Sequence, residues 1–282
     1  MVIDSKGIVA ICVNDTPENQ RWRTTVRCLT SFGITTDFSS HELIIIDNGS
    51  TCPNTKTFLE EFCQDLIGVR NQNVTLVRFG ENQYATYVFN HVVQIFAQKF
   101  PQRVFVRVEN DLEMVTSDWL VKFISMFIEY PAAGAISTKP HDLPAKGEGG
   151  VPVKLAGLDC LRVDEVPGYC TAFRPGIFNL LGTLVSAGNY IEDILTSVRL
   201  RKLGWELFLT QPDVVSCYHI DRCPTLQYSQ WKKKTVISEW SMYLALREDY
   251  ETGKRELFTP FVPDQVDVEY PYISINFEKC LS

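Results

Sequence analysis

No stretch of these 282 residues approaches the roughly 18 consecutive apolar residues of a membrane span. The opening apolar run, GIVAICV at 7–13, gives way at once to Asn14 and Asp15, too short and too soon polar for a signal peptide. The nine cysteines (12, 28, 52, 63, 160, 170, 217, 223 and 280) contain no C-x-x-C pair, which argues against a zinc ribbon, and an odd set argues against a closed disulfide framework. No G-x-G-x-x-G follows a strand, which disfavours a dinucleotide-dependent dehydrogenase. Excess positive charge is missing too: a formal net charge of −7 argues against wholesale non-specific binding of nucleic acid. These absences lead to the expectation of a soluble cytoplasmic protein in a reducing compartment. Three sequons, at Asn14, Asn48 and Asn73, do not alter it, because the first two end core strands where a ligand is expected and a glycan would block it.

What is present is the composition of a globular chain, 45% hydrophobic and 22% charged with 12% aromatics. Its length is near the size at which a single core stops growing, so one large domain with an appendage is expected. Short β-branched runs alternate with helical patterns: GIVAICV then 21–32, ELIII then 55–66, VTLVRF then 84–99, RVFVRV then 117–129, and AAGAIST. That alternation predicts a mostly parallel sheet covered by helices on both faces, with ligands beyond the strand C-termini. The residues there are polar: Asn14 and Asp15; Asp47, Asn48 and Gly49; Gly80, Glu81 and Asn82; Glu109, Asn110 and Asp111. From 139 to 166 the text turns rich in Pro, Gly and Lys and reads as a long mobile loop, able to cover a site. A helix near 191–203, two strands (WELFLT, VVSCYHI), a helix at 235–248 and an irregular tail complete the reading.

Three constellations carry chemistry. Glu109-Asn110-Asp111 places two carboxylates two residues apart at a strand end, on one side of an extended chain, which suits a hard divalent cation shared with phosphates. The plain alternative is a solvated acidic loop. In LIIIDNGST, an apolar strand runs into Asp47 and a tight Asn48-Gly49 turn, where backbone can approach a nucleotide and Asp47 can accept from a base or ribose; an ordinary strand-to-helix turn reads the same way. Glu192 and Asp193 open a helix, where carboxylates are also favoured by the macrodipole alone. His219 ends a later strand, and a lone His is usually packed or solvated.

The order IDNGST, VENDLEM, GYCTAFRPGIF, IEDILTSVRLRKLGW and then a His after a strand resembles the inverting family 2 glycosyltransferases of the GT-A fold, over roughly residues 7 to 220. The resemblance implies an α/β, Rossmann-like, mostly parallel central sheet. Residues 1–222 would be the glycosyltransferase domain, with about 7–138 as the nucleotide-sugar half and 139–222 as the acceptor half. Residues 223–282 would be a helical and irregular extension. It implies a nucleotide-diphosphate sugar as donor and Mn2+ or Mg2+ as cofactor, with Asp111, Glu109 and His219 near the metal. Asp47 would meet the base, and Asn14, Asp15, Asn48, Gly49, Asn82 and Asn110 would line the nucleotide. Asp193, or Glu192 beside it, would be the catalytic base. The chain departs from the D-x-D pattern in having Glu109 at its first position, which favours Asp111 as the direct ligand.

Alternatives stay open: a nucleotidyltransferase, though NDTPENQRW stands where its glycine-rich basic loop would be, or a non-catalytic nucleotide- or glycan-binding module. The acceptor is not specified. Lys232–Lys234 beside Trp231 and Tyr228 leave a DNA base open as one class, a solvated helix face being the plain reading.

Overall fold

Ile8, Val9, Ala10 and Ile11 leave no face for water, and they form the middle of strand β1 (Gly7–Val13), buried on both sides. The structure is a computed structural model, and it describes residues 2–83, 85–141, 149–185, 192–220, 242–260 and 273–275. Beside β1 run β2 (Glu42–Asn48), β3 (Val74–Phe79) and β4 (Val104–Glu109), all parallel to it, in the spatial order β3-β2-β1-β4. Alternation divides their side chains. Val9, Ile11, Leu43, Ile45, Val106 and Val108 meet one layer of helices: α1 (Trp22–Thr35), α2 (Pro53–Gln64, continued by a π turn at Asp65–Val69) and α4 (Trp119–Glu129). Ile8, Ala10, Ile44, Ile46 and Phe105 meet the other: α3 (Ala85–Lys99) and α5 (Ile177–Leu181), with Leu200 of α6 (Glu192–Lys202). Trp119 anchors the first layer, edge-on to Phe32 at 5.5 Å, its indole N–H donating to Thr36 Oγ1 at 2.9 Å.

Successive strands step outward from β1 to β2 and β3, and β4 then returns to the far side of β1. The crevice between the ends of β1 and β4 is therefore the topological switch point, where open α/β sheets bind ligands. Beyond β4 the sheet is mixed: β9 (Cys170–Phe173) runs antiparallel between β4 and β6 (Ala133–Thr138), and β10 (Glu206–Thr210) lies parallel to β6. An antiparallel strand begins where its neighbours end, so Gly168 and Tyr169, just before β9, arrive at the carboxyl rim of β4; Glu109 N–H donates to Tyr169 O at 2.9 Å. A second small sheet pairs β5 (Leu112–Met114) with β11 (Cys217–His219), setting His219 opposite Leu112 and next to Asp111.

The expected mobile loop is corrected here. Within 139–166, β7 (Val151–Leu155) and β8 (Leu158–Val163) form a hairpin that extends the sheet edge from β10, closed by Ala156 and Gly157 at φ +51° and +74°. Two positive φ angles match the right-handed twist of the strands, as in a type I′ turn. Residues 142–148 lie outside the described residues. So do 221–241, with the Lys232–Lys234 run and the first half of the expected helix at 235–248. Residues 242–252 are helical, and the final strand, β12 (Ile273–Ile275), pairs antiparallel with β3.

The C-terminal stretch docks on the back of α6. Tyr243 and Tyr250 pack on Leu195 and Val198, and the fully buried Arg199 donates to Leu257 O and Thr183 O at 2.9 and 2.7 Å and also to Leu181 O. Burial lowers the Arg199 pKa to about 10, yet three carbonyls need its donors. Arg199→Leu leaves those carbonyls dry, and a loss of about 3 kcal/mol is expected. Melting should fall on the order of 6–12 °C for a chain of this size, with Arg199→Lys intermediate; a thermal scan checks both.

Candidate active site

Four strand ends were expected to face a ligand, and the structure sorts them. At β1, the Asn14 amide donates to Asn48 O at 2.7 Å. Asp15 has no exposed surface, accepts from Thr55 Oγ1 at 2.7 Å, and takes the N–H groups of Thr51 and Cys52 on its carbonyl. Burial raises its pKa. Expected as a nucleotide contact, Asp15 stands here as an internal brace between the first two strand ends.

At β2, Asp47 is 2% exposed; Oδ1 accepts the Ser50 N–H at 3.0 Å and Oδ2 faces Arg78 Nε at 3.2 Å. The Asn48 amide donates to Asn82 Oδ1 at 3.0 Å and to Gln83 O at 2.7 Å, and its oxygen accepts the Gln83 N–H at 2.9 Å, tying the second and third strand ends together. Gly49 has φ +69°, and a Cβ there would lie 2.2 Å from the Glu81 carbonyl carbon, so only glycine fits beneath that loop.

At β4 the two carboxylates face different partners. The strand ends at Glu109, the chain turns at Asn110 and Asp111, and period-two alternation no longer applies. Glu109 turns to Arg107 (3.9 Å), while Asp111 turns to Arg21 (3.1 Å) and His219 (3.4 Å), both at Oδ2. The Asn110 amide donates to Thr25 Oγ1 at 3.3 Å. Asp111 and His219 thus meet as expected, but Glu109 does not join them. Among the described residues no three His, Cys, Asp or Glu side chains gather into a metal-binding group.

The structure does bring together the two acidic motifs. Glu192 and Asp193 open α6 directly over the end of β4, and Arg107 lies between the sets, its guanidinium paired with Glu192 and stacked over Phe89 at 5.0 Å. Gly168 closes the arrangement: a Cβ on it would sit 3.2 Å from Glu109 Oε1, 3.4 Å from Arg107 Nη1 and 3.4 Å from Asp193 Cβ. Its N–H donates to Asp193 Oδ2 at 3.0 Å, and the Ile194 N–H donates to Oδ1 at 2.8 Å. Val166, Phe173 and Leu184 line a small hollow against Arg107 and Asp193.

That apolar floor explains the electrostatics. Burial pushes Asp193 up to about 6, with the Glu192 charge adding to the rise and Arg107 opposing it. Burial and then Asp111 push Glu109 up to about 7. Its side chain keeps 37% of its surface open, so water offsets part of that push. Burial works against the Arg107 charge, but Glu192, Glu109 and Asp193 outweigh it and hold the guanidinium above its usual range. Both carboxyls are thus pushed up toward neutral pH in a cleft with a charged partner, the kind of perturbation found at sites of proton transfer.

Sequence reasoning missed Arg107, Arg21 and Gly168. Arg107 had a signal: a lone charge inside the apolar strand VFVRV, two residues before Glu109 and so on its side of the strand.

Comparison with known proteins agrees with this architecture. Residues 11–152 match the sequence model of Glycosyl transferase family 2. No curated protein matches the chain by sequence. Among solved structures, GalNAc-T7 with UDP, GalNAc and Mn2+ superposes with a TM-score of 0.58 at 16% identity, over 76% of this chain and 43% of that one. The mannosyltransferase PcManGT from Pyrobaculum calidifontis, in complex with GDP-Man and Mn2+, gives 0.54 at 15%, over 79% and 59%. S. aureus TarS 1-349 gives 0.53 at 14%, over 76% and 60%. The chain thus spans between 43% and 60% of the lengths of these proteins, and the likeness is one of fold. With half of its length matched, from within β1 into the edge hairpin, and with that sheet beneath the site, this chain belongs to glycosyl transferase family 2 and has the GT-A fold.

Proposed function

We propose that this chain transfers a sugar from a nucleotide-diphosphate donor to an acceptor hydroxyl with inversion, using Asp193 as base. One observation carries the reading: carboxylates from the end of β4 and the start of α6, more than 80 residues apart in sequence, share one cleft beside the switch point, with Arg107 between them.

Glu192 is committed to Arg107, whereas each Asp193 oxygen accepts one backbone N–H and keeps a lone pair for a proton. Asp193 therefore takes the acceptor's hydroxyl proton, and its raised pKa brings it nearer the working range of a base. The donor's nucleotide lies along the wall built by Asn14, Asp47, Asn48, Gly49 and Asn82. Its diphosphate lies over the switch point near Asp111 and Asn110.

The donor set for a divalent cation is one carboxylate and one imidazole, Asp111 and His219, which fits an ion that completes its shell with diphosphate oxygens and water. Such an ion, held by Asp111 and His219, would neutralise charge on the departing diphosphate. Structures of similar fold hold Mn2+ with UDP or GDP-Man, which supports the reading. No helix among the described residues is long and apolar enough to cross a membrane. The acceptor class, DNA included, is left to experiment.

The test is a melting screen against UDP, GDP, CDP and dTDP, each with and without Mn2+ or Mg2+. Ligand at 100 times its dissociation constant adds about 2.7 kcal/mol, a rise on the order of 5–10 °C. The expected result is a nucleotide and metal shift exceeding the sum of the separate ones, lost in Asp111→Asn. Absence of a metal-dependent shift with every nucleotide sinks the donor-site assignment. A shift without slow hydrolysis of any donor sugar favours a binding module instead.

A further inference from the structure

Arg21 stands in a place that electrostatics and backbone geometry both oppose. It is the N-cap residue of α1, the positive end of a 14-residue helix, with no side-chain cap and no acidic residue in the first turn. A cation there is disfavoured by the helix dipole. The residue before it, Gln20, has φ +53°, a left-handed conformation that a non-glycine residue adopts at a cost. Asn19 enforces this bend: its side-chain oxygen accepts the N–H groups of Thr16 and Arg21 at 2.9 and 3.2 Å, and its amide donates to Asn14 O at 2.8 Å. The loop after β1 is thus built to aim one guanidinium across the switch point.

Its target is informative. Arg21 Nη2 lies 3.1 Å from Asp111 Oδ2, the same oxygen that His219 Nε2 approaches to 3.4 Å, and both the Arg21 and the His219 side chains are largely buried. A divalent ion held by Asp111 and His219 would bring a second positive charge against the carboxylate that Arg21 already pairs. Two cations on one carboxylate repel each other, so metal binding would loosen the hold of Asp111 on the guanidinium. On the donor placement proposed above, the nearest new anion would be the diphosphate, which matches the planar fork of an arginine.

Resting on the glycosyl-transfer reading of this site, we propose that Arg21 exchanges partners: without ligand it holds the Asp111 carboxylate as counter-ion, and when metal and donor bind it releases Asp111 and clamps the diphosphate. Arg21 is thus a donor-positioning residue that opposes metal binding alone and favours metal and diphosphate together. The exchange keeps Asp111 neutralised in the empty enzyme, and it makes the metal site selective for an ion that arrives with a nucleoside diphosphate.

The experiment measures ligand binding, not turnover. Binding of Mn2+ alone is followed by the loss of the free-ion paramagnetic resonance signal. Binding of the best nucleoside diphosphate from the screen, and of its monophosphate, is followed by calorimetry at saturating Mn2+. The proteins are the parent, Arg21→Gln and Arg21→Lys, each checked for an intact melting transition. In Arg21→Gln, Mn2+ alone should bind on the order of tenfold tighter as a competing cation is removed, while the diphosphate binds on the order of tenfold weaker. The monophosphate should change by much less, and Arg21→Lys should fall between parent and Gln on both axes. Opposite signs from one substitution are what a merely structural ion pair does not produce. If Arg21→Gln binds Mn2+ unchanged or more weakly, or loses mono- and diphosphate equally, the exchange is wrong although the site reading stands. A parent that binds neither Mn2+ nor any nucleotide overturns the site reading itself, and the exchange with it.

Discussion

Asp193→Asn should lower single-turnover sugar transfer by about 10²–10⁴-fold, the usual contribution of a positioned base, while leaving donor affinity near that of the parent. The amide keeps the shape of the carboxylate and can still accept one backbone N–H through its oxygen, but it takes up no proton. The proposed donor wall at the ends of β1, β2 and β3 does not include Asp193, so donor affinity should survive. Glu192→Gln is the informative partner. Its carboxylate is buried against Arg107, so the substitution should lower stability more than chemistry. If Asp193→Asn transfers sugar at the parent rate, the base is not Asp193, and Glu192 becomes the candidate. If both variants are fully active, the mechanism fails at this motif.

The same residue ties rate to pH with a sign opposite to that of stability. Asp193 must be ionised to accept a proton, so kcat/KM, which reports the free enzyme, should rise as pH increases through about 6. For stability, an Asp in the unfolded chain titrates near 3.9, below its folded value. Between those two values the folded chain holds the extra proton, so the Asp193 contribution to stability is lost as pH rises across that window. The parent's slope minus that of Asp193→Asn isolates this contribution from the other carboxylates. A difference of zero, with an unchanged rate profile, would mean that the carboxyl is not desolvated as the apolar floor of Val166, Phe173 and Leu184 implies.

Much of this fold was legible because the physics was local. The runs GIVAICV and VTLVRF are strands over 7–13 and 74–79, as read; the first is buried on both faces, as an apolar β-branched run is inside a helix-covered sheet. The hairpin at 151–163 was not legible. Its first strand carries Pro152, tolerable only on an edge, and its turn uses Ala156 at a positive φ where Asn or Asp would have signalled it. At the site, period two correctly put Glu109 at the rim but failed for Asp111, because a strand's alternation ends with the strand. The positive partners of the acidic rim were hidden for different reasons. Arg107 was visible as an anomaly in a core strand. Arg21 lies 90 residues from Asp111, and only the return of β4 to the flank of β1 makes them neighbours.

Arg107→Met should be the most damaging single change to the folded chain. Methionine fills the channel beside Phe89 at similar length, so the loss comes from charge rather than from a cavity. It leaves Glu192, 6% exposed, without its cation, and it removes the attraction that offsets repulsion among Glu192, Asp193 and Glu109. Removing one partner of a buried ion pair costs about 3–5 kcal/mol, which for a chain of this size lowers melting by roughly 6–20 °C. The rate profile should move as well. Arg107 holds the Asp193 pKa down, so without it the midpoint of kcat/KM shifts to higher pH than the parent's value of about 6. Pairing the change with Glu192→Met separates the ion pair from everything else: with both charges gone, the desolvation penalty vanishes with the attraction, and the double variant should recover a large part of the lost stability. Its midpoint should come back to the parent's or below it, because the Glu192 charge raises the Asp193 pKa by more than Arg107 lowers it. A melting point for Arg107→Met within a degree or two of the parent, or a double variant no more stable than the sum of the single losses, would show that the guanidinium is not what holds the two acidic motifs in one cleft.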